Sequence, residues 1–593
     1  MKRKLVSGVA VMLFLMNICA AQAPRVFKSW VPAADSTVYA LEGQGWKDGM
    51  DLYYNRLPQR AEDKVRTAVW NLSGNSAGLS LRFRTDADEI VVKYTVRGAL
   101  AMPHMPATGV SGVDMYAKSI DGKWMWCAGK YNFNDTIVYR FSNLNKYDQH
   151  VKNTDYTLYL PLYNSVKWLS VEVPEESLFK PLPVRKAAPI VIYGTSIAQG
   201  ACASRPGMAW TNILERKMER PVINLGFSGN GRLEKEVVDF VTEIDASVYV
   251  LDCLPNLTGK EYKGDELKKR ITETVKQLQR RHADIPILLT AHDGYSNDQT
   301  SAAAKESYEQ VNATLQEVVD AMWKAGVKHI SLLTKEEIGL DQESTVDGTH
   351  PTDQGMMKYA DAYTKKLKSI LDETSGTTVT TTPVTQRRDA ATYDWETRHQ
   401  EVLAYNKTHR PRVVFIGNSI THFWGGNPEA KVKNGSVSWE KYFEPKGAVN
   451  MGFGWDRVEN VLWRIQHGEL DGISPGYIVL MIGTNNLQLN SDTEIVDGLK
   501  YLIQTIRIRQ PNAQILLMGI LPRRNMEERV AGINRLIAAI PGEKMQFLDA
   551  GKLFLKPDGK IEERLFSDGL HPNQEGYEGL GALISQYLQK AKR

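Results

Sequence analysis

Two serines stand on tight corners of this chain. In "VIYGTSIAQG" (191–200) an apolar, strand-like run turns through Gly194 and Thr195 and presents Ser196 ahead of a helix-like stretch. "VVFIGNSITHFW" (413–424) repeats the pattern around Ser419. A serine hydroxyl is a weak nucleophile near neutral pH. It needs a base to take its proton, a group to orient that base, and donors for the oxyanion that forms on an attacked carbonyl. The chain supplies such parts twice. "VDGTHP" carries Asp347 and His350, and "SDGLHP" carries Asp568 and His571. In each, the acid precedes the histidine by three residues. One turn can then hold a carboxylate against one imidazole nitrogen while the other faces the serine.

Between serine and histidine lie two more paired features. "NLGFSGNG" (224–231) and "NMGFGWD" (450–456) are glycine-rich turns leaving a strand, with amides able to meet an oxyanion. "VLDCLPN" ends on Asn256 and "VLMIGTNN" reaches Asn485. Each asparagine follows a buried-strand pattern, and open parallel sheets place their sites at strand C-termini. A lone Gly-x-Ser or Asp-x-x-His is an ordinary turn. The shared order, the matched spacing and the recurrence make a nucleophile–base–acid reading the stronger one.

Three regions must position these residues. From 24 to about 185, "LSLRFRT" alternates polar and apolar residues, "IVVKYTV" follows an Asp-rich turn, and "TLYLPLYNSVKWLSVEV" gives two more strands. Many short strands without a long amphipathic helix read as a β-sandwich. Beyond "KPLPVRKAAP", strand and helix patterns alternate, which argues for a parallel sheet covered on both faces. "TSGTTVTTTPVTQRRDA" (374–390) has no apolar period and reads as a solvated linker. The α/β pattern then starts again. "QLQRRHADIPILLT" resembles "TIRIRQPNAQILLM", so the two α/β parts read as copies of one ancestor. The expected organisation is a leader over 1–23, a sandwich over 24–185, α/β domains over 186–372 and 396–593, and the linker over 373–395.

The chain has 593 residues and a formal charge of +4, of which Lys2, Arg3 and Lys4 supply three. The remaining +1 gives no nucleic-acid footprint or basic membrane patch. The basic start, short apolar stretch and "AQA" exit of the first 23 residues predict a secretory signal peptide, cleaved after Ala23. Cys19 raises lipid anchoring, but Ile18 precedes it where a small residue is expected. The mature protein is expected to be periplasmic or secreted, with no integral membrane segment. Cys127, Cys202 and Cys253 then remain, an odd number. A Cys202–Cys253 bridge is open, as is the reading of three small buried hydrophobes. None has the spacing of a metal cluster.

On these motifs both α/β parts resemble the SGNH (GDSL) hydrolases, over Pro189 to about Leu371 and from about Arg410 to the end. "FIGNSITHFW", "GFGWDRVENVLWR", "IGTNN" and "DGLHPNQEGY" are similar to the platelet-activating-factor-acetylhydrolase branch. The first copy, with its β-region, resembles bacterial carbohydrate esterases carrying an N-terminal jelly roll. The resemblance implies flavodoxin-like α/β/α sandwiches and no cofactor or metal. It implies Ser196 and Ser419 as nucleophiles, and Asp347–His350 and Asp568–His571 as acid–base pairs. It implies oxyanion donors at Gly229 and Asn256, and at Asn485 with Gly454 or Trp455. The family's Asp before the serine is Thr195 or Asn418 here, and its Gly-x-Asn block is "LPN" in the first copy.

The expected reaction is hydrolysis of a small acyl ester, acetyl above all, on O-acetylated polysaccharides or O-acetyl sialic acid glycans. A lipid-directed esterase or lysophospholipase stays open, as does a glycan-binding protein with one decayed catalytic domain. Three other features have two readings each. His292–Asp293 lines the first pocket or is a satisfied loop pair. His422 faces substrate or starts a surface helix. Trp124 and Trp126 form a sugar platform or sandwich core.

Overall fold

The structure, a computed structural model, describes residues 25–144, 153–540 and 542–590. The expected leader and Cys19 lie outside them. Among the described residues no helix is long and apolar enough to cross a membrane.

The N-terminal region holds β1 (Phe27–Trp30), β2 (Leu41–Glu42), β3 (Ser80–Thr85), β4 (Glu89–Val96), β5 (Asp114–Lys118), β6 (Trp124–Cys127), β7 (Lys130–Phe133), β8 (Ile137–Ser142), β9 (Thr154–Tyr159), β10 (Val166–Pro174) and β11 (Phe179–Pro181). One sheet runs β1-β10-β4-β8-β7. The other runs β11-β3-β9-β5-β6, with β2 on β3. The alternation in β3 does what period two requires: Leu81 and Phe83 are buried between the sheets, while Arg82 and Arg84 face outward. Trp124 and Trp126 are not sandwich core. β6 is an edge strand on which only Cys127 touches the core. Trp126 is 53% exposed beneath the Arg205 guanidinium, and the Trp124 indole donates to the Arg216 carbonyl.

The first α/β sheet contains β12 (Ile190–Gly194), β13 (Val222–Gly226), β14 (Val248–Asp252), β15 (Ile287–Thr290) and β16 (Ile330–Leu333), in the parallel order β13-β12-β14-β15-β16. The second contains β17 (Val413–Gly417), β18 (Ala448–Gly452), β19 (Tyr477–Met481), β20 (Gln514–Met518) and β21 (Met545–Leu548), in the same order β18-β17-β19-β20-β21. This is the flavodoxin-like 2-1-3-4-5 order. Successive residues feed opposite faces. Val191 and Tyr193 enter one core, Ile190 and Ile192 the other. Val414 and Ile416 are separated from Val413 and Phe415 in the same way. Each copy is therefore a three-layer α/β/α sandwich.

Two expectations change. The first α/β core also takes Leu57, Ala61, Val65 and Val69, so it draws on residues well before position 186. The threonine-rich segment is not a solvated linker. Thr380 and Thr381 are buried, with Thr380 Oγ1 donating to the Glu494 carbonyl and Thr381 Oγ1 to that of Thr378. Arg387 pairs with Asp155 and Arg388 with Asp121, so the segment ties the sandwich to the second α/β copy. Local hydrogen bonds let hydroxyls be buried where no apolar period announces it. The three cysteines are free, and the Cys253 thiol is directed at the Tyr193 carbonyl, so no Cys202–Cys253 bridge forms.

Candidate active sites

β12 and β17 end on glycines, and the next residues cap very short helices that begin at the serines. Thr195 Oγ1 accepts from the Ile197 amide at 3.3 Å, and Asn418 Oδ1 from the Ile420 amide at 2.9 Å. A capping acceptor is what this position needs, and Thr and Asn both supply one. The neighbouring strand end closes on the corner. A Cβ on Gly226 would meet the Gln199 amide at 2.3 Å, and one on Gly452 the His422 amide at 2.3 Å.

Asp347 and His350 sit in a loop closed by a bridge between Thr345 and Pro351. Asp568 and His571 sit in one closed between Phe566 and Pro572. Gly348 and Gly569 take φ of +90° and +82° inside these loops, a conformation glycine adopts without penalty. In the first site Ser196 Oγ lies 2.9 Å from His350 Nε2, and His350 Nδ1 lies 2.7 Å from Asp347 Oδ2. In the second, Ser419 Oγ to His571 Nε2 is 2.8 Å and His571 Nδ1 to Asp568 Oδ2 is 2.7 Å. Burial works to raise both carboxyls. Amide donors, His350 and Thr349 or His571 and Leu570, outweigh it with help from the imidazole ring, and both carboxyls end below their ordinary value. Each stays ionised to hold the imidazole tautomer that can accept the serine proton.

The oxyanion turns match in backbone and differ in side chain. Gly229 has φ of +69° and Trp455 φ of +63°, each three residues beyond its strand end. The residue before each has its amide bound: Ser228 donates to Gln199 Oε1 at 3.0 Å, and Gly454 to His422 Nδ1 at 3.1 Å. Of the two candidates in the second copy, Gly454 is therefore engaged within the fold, and Trp455 holds the position equivalent to Gly229. Asn256 is tied through Oδ1, which accepts from the Gly231 amide, so its nitrogen is the end left to donate. Asn485 donates one of its two amide hydrogens to the Asp456 carbonyl, leaving the other for a ligand.

His422 fits neither of its expected readings. It is 2% exposed, and burial, then Arg398 and Arg464, lower its pKa to about 2. It is a neutral acceptor that fixes the turn, the role Gln199 takes in the first copy. His292 and Asp293 are likewise fully buried, and His292 Nδ1 accepts from the Gly294 amide.

Several positioning residues carry no motif. Asn224 and Asn450 each receive the amide of the strand-end glycine and donate to a carbonyl of the serine helix, Ala198 or Thr421. Buried Arg56 donates to the carbonyls of Asn224 and Gly226, and buried Arg398 to those of Asn450 and Gly452. Their signal is weak: an Asn two residues before a strand-end glycine in both copies, and an Arg in each preceding segment. The sandwich also reaches the first serine, through the Tyr163 hydroxyl on the Ser196 carbonyl at 3.2 Å.

A serine hydrogen-bonded to an imidazole, a carboxylate behind that imidazole and candidate oxyanion donors on a flavodoxin-like sheet define a serine-type carboxylic ester hydrolase, here built twice. The chain belongs to the GDSL-like lipase/acylhydrolase family, whose models match residues 187–368 and 415–578. Residues 28–179 match the N-terminal domain of SGNH-hydrolase-type esterases. The chain is 33% identical over 189 residues to human platelet-activating factor acetylhydrolase IB subunit alpha1, covering 31% of this chain and 78% of that one. It is 32% identical over 206 residues to the human alpha2 subunit, covering 33% and 86%. The crystal structure of a GDSL-like lipase from Bacteroides ovatus is similar with a TM-score of 0.53 and 30% identity, over 58% of this chain and 98% of that one.

Proposed function

We propose that each triad removes a small acyl group, acetyl foremost, from a carbohydrate ester through a serine acyl-enzyme. Ser196 or Ser419 attacks the carbonyl carbon as His350 or His571 takes its proton. The same imidazole returns that proton to the leaving alcohol. Water, activated by the imidazole, then releases the acid and restores the serine. The serine amide, the Gly229 or Trp455 amide and Asn256 or Asn485 hold the oxyanion. The observation that carries the reaction is the pair of complete serine–histidine–aspartate hydrogen-bonded chains.

A sugar substrate is supported by Trp455, whose indole is 46% exposed directly on the oxyanion turn. An exposed aromatic face on the turn that carries an oxyanion donor suits stacking on a sugar ring. The same reading places the enzyme outside the cytoplasm, where such glycans are met. The test is acetate release from a panel of acetylated oligosaccharides by the full chain. Turnover of acetylated sugars well above that of acetylated glycerolipids supports the reading; the reverse order overturns it.

The second reading is a lipid acetyl ester, favoured by the likeness to proteins called platelet-activating factor acetylhydrolases. The comparison of acetylated sugars with acetylated glycerolipids separates the two, and a series of nitrophenyl esters of rising chain length reports the acyl preference. An acetyl optimum fits both readings, whereas a long-chain optimum belongs to a lysophospholipase.

A further inference from the structure

A second kind of chemistry converges on the first triad. His104 occupies the tip of a turn from the sandwich region, closed by reciprocal backbone hydrogen bonds between Met102 and Met105. Its exposed ring lies 5.8 Å from the ring of His350. Buried Cys202, six residues past the nucleophile, completes the group. One ligand atom from each of His104, Cys202 and His350 lies within 4.8 Å of the others. Two imidazoles and a thiol are donors suited to a borderline divalent ion such as zinc. Tetrahedral bonds of about 2.1 Å to nitrogen and 2.3 Å to sulfur need ligand atoms about 3.4–3.6 Å apart. An exposed turn can cover the difference of about 1 Å.

We propose that Zn²⁺ binds His104, Cys202 and His350 and switches off the first active site while leaving the second running. Cys202 loses its thiol proton to solvent and binds as thiolate. His350 binds through Nε2, and Asp347 keeps its hydrogen bond to Nδ1, the usual carboxylate support of a metal-bound imidazole. The ion takes the lone pair that accepts the Ser196 proton, so the serine keeps its hydrogen. Were Nδ1 the ligand instead, the contact to Asp347 would be lost, and the site would still be silenced. A water fills the fourth position. The second site has no such set. The ring beside His571 is Phe423, at 5.4 Å, and the residue six past Ser419 is Gly425. No second group of this kind occurs among the described residues.

The effect on rate rests on the hydrolase reading of the first triad, so binding is measured separately from activity. Co²⁺ is added to the full chain carrying Ser196→Ala, and the near-ultraviolet thiolate-to-cobalt charge-transfer band is followed. The band is expected, is lost with Cys202→Ser, and weakens with His104→Ala, a change on an exposed turn. Zn²⁺ is then titrated against esterase activity in two full-length variants. Ser419→Ala, which reports the first site, is expected to lose activity and regain it with EDTA. Ser196→Ala, which reports the second, is expected to keep its activity at the same zinc concentration. Adding His104→Ala to the Ser419→Ala chain should raise the inhibiting zinc concentration at least about tenfold, since even supporting residues outside a metal's ligand set are worth about 10–100-fold. No cobalt–thiolate band, a band surviving Cys202→Ser, or equal inhibition of both sites overturns the proposal. A band in a chain whose first site has no esterase activity upholds the metal site and removes the hydrolase reading of that triad alone.

Discussion

The two α/β copies solve one positioning problem with different side chains. Three residues past each serine an acceptor must hold the amide that precedes the left-handed oxyanion residue. The first copy uses the Gln199 carbonyl, whose amide end then needs Asn75 and the Leu162 carbonyl as partners. The second uses a ring nitrogen of His422, kept neutral by burial and two nearby arginines. The strand end must also be gripped by a buried cation. Arg56 and Arg398 do this from unrelated stretches of chain, and burial lowers them to about 9 and about 10. The geometry demands an acceptor at one place and a guanidinium at another. Which residue supplies the acceptor, and from where the arginine enters, is secondary.

The largest effect should separate the copies outright. Ser196→Ala and Ser419→Ala should each remove one activity by at least about 10³-fold, and the double variant should abolish acetate release. If either single variant is as inactive as the double on every ester tried, the other copy is no independent catalyst.

The acceptor rule gives a sharper test. In the Ser196→Ala chain, His422→Ala should lower kcat by roughly 10–100-fold through a misplaced turn. His422→Gln should recover most of that loss, because Gln199 already performs the task in the first copy. An equal loss in both variants would mean that the imidazole does something a carboxamide cannot.

A smaller effect is expected from the segment joining the domains. Gln386 Nε2 donates to the Gly454 carbonyl at 2.9 Å, and Arg388 donates to the carbonyl of Trp455 at 3.0 Å while pairing with Asp121 of the sandwich. Arg388→Ala should slow the second site several-fold and leave the first unchanged, measured in the two single-serine variants. Equal slowing of both would point to general destabilisation. A fragment of the second copy must therefore begin before Gln386 to keep its oxyanion turn braced.

What the sequence displayed was the chemistry at fixed offsets. Ser196, Asp347 and His350, and Ser419, Asp568 and His571, stand in short windows whose spacing is set by a turn. The parallel sheets were legible because strands buried on both faces are continuous apolar runs, as in Val413–Gly417. Arg56 and Arg398 were not, because a buried arginine satisfied by carbonyls has no local pattern. Nor was the burial of Thr380 and Thr381, whose partners are backbone atoms. Gly454 and Trp455 could not be told apart without the His422 contact, which depends on how a helix start meets a strand end.

Trp455 tests whether the copies differ in what they hold. Taking the worth of a stacked aromatic pair, about 0.5–1.5 kcal/mol, as the scale for a sugar on an exposed ring, the contact corresponds to about 2–10-fold. Trp455→Gly keeps a residue suited to φ of +63° and removes the indole. In the Ser196→Ala chain its KM for an acetylated oligosaccharide should rise within that range relative to its KM for nitrophenyl acetate. A parallel change for both esters would assign the indole no role in sugar binding.

The least visible difference lies beneath the sites. β14 ends on Asp252, whereas β19 ends on Met481. Beyond the next strands the first copy buries His292 and Asp293, where the second places Ile520 and Leu521. Burial, then the nearby Asp293, raises the Asp252 carboxyl to about 7. An unfolded aspartate titrates near 4. Between those values the unfolded chain releases a proton that the folded chain keeps. Through this carboxyl the folded state binds more protons, and the contribution Asp252 makes to stability falls as pH rises from about 4 to about 7, then levels off. Asp252→Asn removes this slope and leaves the triad untouched. In the Ser419→Ala chain, the half-inactivation temperature of the first site should rise by more at pH 8 than at pH 5 when Asp252→Asn is added. The second site, followed in the Ser196→Ala chain, should show no such pH-dependent gain. A gain of equal size at both pH values would mean that Asp252 carries no extra proton in the folded chain.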